Sequence, residues 1–139
     1  MSGWSQRTHQ GTTQKEIEFW AQWPNAGIGV VLGAASGIVA LDFDYDVNGM
    51  HDAIHQMIPD SPLKKKGAKG YTAFYKYSGE SSRSWSLQGQ MVMELLSNGK
   101  QTVLPPSIHP DGMAYQWITP LTLMEADISQ LPSLPSGFK

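Results

Sequence analysis

The chain has 139 residues, 40% of them hydrophobic and 16% charged, with a net charge of −2. That length suits one domain with a core of its own, and the composition is not that of a disordered chain. The near-neutral balance confines any polyanion site to a local patch, and the absence of cysteine excludes disulfide scaffolds, zinc ribbons and thiol nucleophiles.

No apolar run approaches the roughly 18 residues of a membrane span. The polar opening MSGWSQRTHQGTTQKE has no hydrophobic signal core, so a cytoplasmic protein is expected. Residues 1–11 read as a flexible N-terminus. Thr12 or Thr13 caps a helix to about Trp23, with Glu16 near a capping-box position. Ile17, Trp20 and Ala21 share one face of it, and Pro24-Asn25 stops it. GIGVVLG (27–33) and GIVALDFDY (37–45) read as strands joined by a hairpin turn. A short helix is expected over 49–58, then a loop, SPLKKKGAKG (61–70). Strands follow at 71–77, 90–96, 101–106 and 114–118, and a helical turn or two at 121–128. Residues 129–139 read as a Pro/Ser-rich tail or linker, leaving 12–128 as a single domain. The pattern predicts an α+β fold around a largely antiparallel sheet.

Three features carry chemistry. In IVALDFDYD the pleat puts Asp42, Asp44 and Asp46 on one face if the strand persists, opposite Leu41, Phe43 and Tyr45. Carboxylates that close repel one another, and a hard divalent cation relieves the strain. A third acid from another strand completes many phosphoryl-transfer sites, and Glu94 is the one acid inside the apolar run QMVMELL. The plainer alternative is a strand ending in a solvated turn. Second, Lys64, Lys65, Lys66 and Lys69 lie in a Gly-containing loop ahead of a strand with Lys76, a pattern that suits phosphates or, equally, a solvated charge run. Third, Pro105-Pro106 aim Ser107 and His109 in a fixed direction, toward a phosphate or simply into a rigid corner.

Two patterns mislead. His51 and His55 have zinc-like spacing, but Asp52 stands where a zincin needs Glu and no third ligand stands out. The run from Gly27 to Gly33 lacks the G-x-G-x-x-G spacing and the following helix of a dinucleotide site.

WPNAGIGVVLGAASGIVALDFDYD, followed by VMELLSNGKQTVLPPSIHPDGMAYQW, resembles the bifunctional DNA primase/polymerase domain of the archaeo-eukaryotic primase superfamily. The resemblance covers about residues 16–119. It implies a compact primase-like core: an RRM-like, mainly antiparallel sheet, a small additional strand and helix unit, and a cleft between them. The family's paired acids fall on Asp42 and Asp44 and its later acid on Glu94, as metal ligands and catalytic residues. Mg²⁺ or Mn²⁺ is the implied cofactor. A His that contacts nucleotide phosphates in the family is replaced here by Thr72. Either Lys69, Lys76 or His109 takes over phosphate binding, or transfer is weakened.

The expected function is template-directed nucleotidyl transfer in phage or plasmid replication. Its partners would be a single-stranded DNA template, dNTP or NTP, and a replicative helicase, with no membrane. Lys64, Lys65, Lys66, Lys69, Thr72, Lys76, Ser107 and His109 are the candidate phosphate-binding residues, and Trp85 or Tyr71 could stack on a base. The alternatives are a nucleotide- or nucleic-acid-binding module without catalysis, and a protein-interaction role.

Overall fold

The computed structural model describes residues 10–139, so the flexible N-terminus expected for 1–11 lies almost wholly outside the described residues. Helix α1 (Gln14–Trp20) starts at a capping box: the Thr13 side chain accepts from the Glu16 backbone, and the Glu16 carboxylate accepts from Thr13 N at 2.9 Å. This satisfies donors that a helix start leaves orphaned. Its Ile17 is half exposed, so the apolar face expected for this helix is not buried in the core.

Strands β1 (Ile28–Val31), β2 (Ile38–Phe43), β3 (Lys64–Lys66), β4 (Tyr71–Lys76), β5 (Arg83–Leu87), β6 (Gln90–Leu96), β7 (Gln101–Leu104) and β8 (Gln116–Trp117) follow, with α2 (Met50–His55) between β2 and β3. A six-stranded sheet runs in the order β5-β6-β2-β4-β3-β8, and β1 pairs with β7 in a separate two-stranded sheet. Every strand pairing is antiparallel. The fold is therefore α+β, with mostly antiparallel open sheets and few helices.

Three local expectations differ from the structure. The 34–37 turn forms, with Gly33 N bonded to Ile38 O at 2.7 Å, but its flanking strands part into different sheets. The reason is local: Gly33 takes φ +95°, and Leu32 N already bonds to Lys100 O across the chain. The expected loop at 61–70 contains β3, because the lysine triplet is paired on both sides, by β4 and β8. Strand β5 was not foreseen, although Ser84 and Ser86 alternate with Trp85 and Leu87 before a two-residue turn with positive φ at Gln88 and Gly89. Residues 121–128 hold a single helical turn, with Glu125 N and Ala126 N both bonded to Thr122 O. The Pro/Ser-rich end packs against the sheet: Leu131 and Leu134 are buried, and Lys76 N donates to Pro132 O.

The pleat divides the large sheet into two faces. One face is apolar at its centre: Val39, Leu41 and Phe43 on β2 lie beside Ala73 and Tyr75 on β4 and Met93 and Leu95 on β6, with Ile54 of α2 packed on them. The other face is split. Ile38, Ala40, Phe74 and Leu96 form its apolar half, with Val30 of β1 and Leu104 of β7 packed over them. Its second half is polar, carrying Asp42, Thr72 and Glu94. The small sheet thus roofs only part of this face, and the polar residues lie where that roof ends. Leu41 is fully buried directly beside Asp42. Leu41→Ala should cost about 2–5 kcal/mol in urea unfolding, the range for a large-to-small core change.

Candidate active site

Antiparallel register puts directly opposed residues on the same face of a sheet. Asp42 is opposed by Thr72 on one side and by Glu94 on the other, Thr72 by Lys65, and Glu94 by Ser84. Five residues from five adjacent strands therefore stand in one row: Lys65, Thr72, Asp42, Glu94 and Ser84. Neighbouring strands lie about 4.8 Å apart, so each side chain can touch the next. Thr72 Oγ1 donates to Asp42 Oδ1 at 2.7 Å, and Ser84 Oγ donates to Glu94 Oε1 at 3.4 Å.

Above this row opens a cavity of about 350 Å³. Asp42, Thr72 and Lys65 contribute from the sheet, Asp44 and Lys69 from the loops beside it, and Thr102, His109, Asp111 and Tyr115 from β7 and the chain that follows it. Strand β2 ends at Phe43, but Asp44 N still bonds to Val92 O at 3.0 Å, which carries the chain alongside β6 and brings Asp44 to the same cavity as Asp42. Asp46 is used elsewhere, accepting from His51 N at 3.0 Å ahead of α2.

Burial is the main influence on Asp42 and raises its carboxyl pKa; the Thr72 hydrogen bond and the Lys65 charge oppose it, and the Glu94 and Asp44 charges reinforce it. An added cation would relieve both the burial and the like-charge repulsion. The donors are hard carboxylate oxygens, which suits Mg²⁺ or Mn²⁺. Asp42 and Asp44 both line the cavity. Among the described residues no group of three acids or histidines is arranged to hold a metal, and Glu94, though adjacent to Asp42, is not part of the cavity lining.

The other expected residues are placed as follows. Lys64 pairs with Asp60, and Lys66 is exposed. Lys65 is 3% exposed, with Nζ 4.8 Å from the Tyr115 ring centroid. Burial lowers the Lys65 pKa, against the pull of Asp42. Lys69 Nζ donates to Tyr45 Oη at 2.9 Å, a contact that raises the lysine pKa. Lys76 lies at the far end of β4, four residues or about 13 Å from Thr72. Ser107 accepts from Ile28 N at 2.8 Å and donates to Ile28 O at 3.3 Å, tying the exit of β7 to β1. His109 Nδ1 lies 3.0 Å from Asp111 Oδ1. The backbone of Met113 is the main cause of a lowered Asp111 pKa.

Trp85 and Tyr71 face away from the acids. Tyr71 stacks on Phe43, with ring centroids 4.7 Å apart, and also contacts His55 Nε2. Trp85 packs against Phe138 and, with Met50 and Met57, lines an apolar groove of about 540 Å³. His51 and His55 pack on Phe43, and their Nε2 atoms contact Val92 O and Tyr71 Oη respectively. Tyr115, Asp111 and Thr102 were not expected at the site. The Tyr-x-Trp pair after the Pro-Pro-Ser block was the available signal for Tyr115.

Among the described residues, no helix is long and apolar enough to cross a membrane. Neither the curated proteins nor the solved structures yield a match to this chain. Among protein families, residues 2–135 match "Bifunctional DNA primase/polymerase, N-terminal". With nearly its whole length matched, the chain belongs to the bifunctional DNA primase/polymerase N-terminal family.

Proposed function

We propose that the chain is a template-directed nucleotidyltransferase acting at the cavity above Asp42. The supporting observation is the row Lys65–Thr72–Asp42–Glu94, in which anionic and cationic side chains meet on one sheet face beneath a cavity of about 350 Å³. Nucleotide-plus-metal chemistry needs that pairing. Asp42 and Asp44 would hold Mg²⁺ or Mn²⁺, with Glu94 as the third acid next to Asp42. The bound ion would neutralise triphosphate charge and make the attacking 3′-hydroxyl more acidic.

The protein's own contributions follow from the contacts. Thr72 fixes the Asp42 carboxylate by donating to it. Lys69 and His109 lie on the cavity wall, within reach of a triphosphate. Burial of Asp42 makes each charge interaction there stronger than in water. The substrates would be dNTP or NTP and a single-stranded DNA template, in phage or plasmid replication beside a helicase.

A second reading is a nucleotide-binding module without turnover. The observation that favours it is the absence of three converging acids among the described residues, together with Thr72 in the row. Labelled dNTP and NTP, offered with primed and unprimed single-stranded DNA in Mg²⁺ or Mn²⁺, separates the two. Incorporation supports transfer; nucleotide or DNA binding without incorporation supports the module.

A further inference from the structure

The two acids that line the cavity are held in different ways. Asp42 sits inside β2, between β4 and β6, and its carboxylate takes the Thr72 hydroxyl. Asp44 lies past the end of β2, and among the described residues its carboxylate has no hydrogen bond or ion pair. Its backbone therefore places it. In a regular antiparallel ladder only alternate residues donate to a given neighbour. Asp44 N donates to Val92 O at 3.0 Å, and the very next amide, Tyr45 N, donates to Met91 O at 3.2 Å. The ladder that fixes Asp42 has broken down by Asp44.

His51, one of the pair with zinc-like spacing, braces this irregular stretch from the apolar face. Its backbone N–H donates to Asp46 Oδ1 at 3.0 Å, and its ring Nε2 lies 3.2 Å from Val92 O. A carbonyl oxygen only accepts, so Nε2 carries the proton. Val92 O thus takes two donors, the Asp44 amide and the His51 ring. The same ring packs edge-on to Phe43, the residue between the two acids, with centroids 5.1 Å apart. Asp44 is bracketed by these contacts at Phe43, at Asp46 and at the carbonyl it bonds. His55 also has its ring against Phe43, but its Nε2 contacts Tyr71 instead of the chain beside Asp44. A ligand held in place beforehand spares an incoming ion the entropy of ordering it.

We propose that His51 is a positioning residue for the Asp44 carboxylate, acting through Val92 O and the Asp46 side chain. The assignment rests on the nucleotidyl-transfer reading above in taking Asp44 as a cation ligand. The test is amide hydrogen exchange by NMR in metal-free buffer, beside Mn²⁺ titration by electron paramagnetic resonance, on the whole chain. His51→Phe keeps a ring against Phe43 and deletes the donor. His51→Gln loses the ring and keeps a donor that can reach Val92 O. His51→Phe should quicken exchange of the Asp44 amide about tenfold, the worth of one hydrogen bond, without the same change at Leu41. It should weaken Mn²⁺ binding about tenfold, as loss of a group that orients a ligand does. His51→Gln should retain most of both properties, and His55→Phe should match wild type in both.

The reverse ranking, with His51→Phe like wild type and His51→Gln impaired, would reduce the role to ring packing and overturn the proposal. Equal quickening at Asp44 and Leu41 would mark a global loss of stability and overturn it too, as would unchanged Mn²⁺ affinity in His51→Phe. A wild-type chain that binds no Mn²⁺ would overturn both this assignment and the transfer reading. One whose Mn²⁺ binding depends on His51 but which incorporates no nucleotide would overturn the transfer reading and leave this assignment standing.

Discussion

Replacing Gly70 with Ala should unfold the chain at markedly lower denaturant and disable the cavity with it. Gly70 has φ +49°, and an added Cβ would fall 1.8 Å from the carbonyl oxygen of Phe43. The obstacle is backbone, so no side-chain rotation relieves it. That carbonyl is the last of β2, between Asp42 and Asp44, so the chain that yields is the one carrying both carboxylates. The left-handed conformation alone costs a non-Gly residue about 1–2 kcal/mol, and the clash adds to it. Gly99 supplies the control: its φ is +78°, but a Cβ there meets nothing within 4 Å. Gly99→Ala should show only the conformational penalty in urea unfolding. Equal destabilisation by the two substitutions would mean that the close approach at Gly70 has no energetic consequence.

Asp42→Asn should separate stability from activity. The amide keeps the shape of the side chain and an oxygen to accept the Thr72 hydroxyl. It removes a charge that burial, Glu94 and Asp44 all oppose. In metal-free buffer the variant should therefore melt at a temperature equal to or above that of wild type. Nucleotide incorporation should fall to background, because one carboxylate of the Asp42–Asp44 pair that lines the cavity is gone. A functional carboxylate held against its own burial is a common compromise between stability and activity. A clear drop in melting temperature would show instead that Asp42 serves the fold, through Lys65 and Thr72.

The elements were legible where local chemistry decides them. The Thr13–Glu16 capping box and the apolar runs of β2, β4 and β6 follow from residue type and spacing. Pairing partners were not legible, because register is a tertiary property. Nothing in GIGVVLGAASGIVALDF announces that its first strand leaves the turn to join β7. The same limit applied to the site. Asp42 and Glu94 drew notice as acids in apolar surroundings, but only the β2–β6 register sets them side by side. Lys65 was hidden for a different reason. A lysine triplet looks like a solvated loop, and its middle member becomes distinct only once β4 and β8 flank it. Ser107 shows the converse: two prolines fix the direction of its hydroxyl, but not that it braces β1 against the end of β7.

The activity proposed for the chain is metal-dependent nucleotidyl transfer at the Asp42–Asp44 end of β2. Its most direct test is extension of a labelled primer on single-stranded DNA by the wild-type chain, with Mg²⁺ or Mn²⁺ and then with chelator. Primer extension should require the cation, stop on chelation and be absent from Asp42→Asn. Extension that persists in chelator or in Asp42→Asn, or a wild-type chain that binds nucleotide and template yet never lengthens the primer, would contradict it.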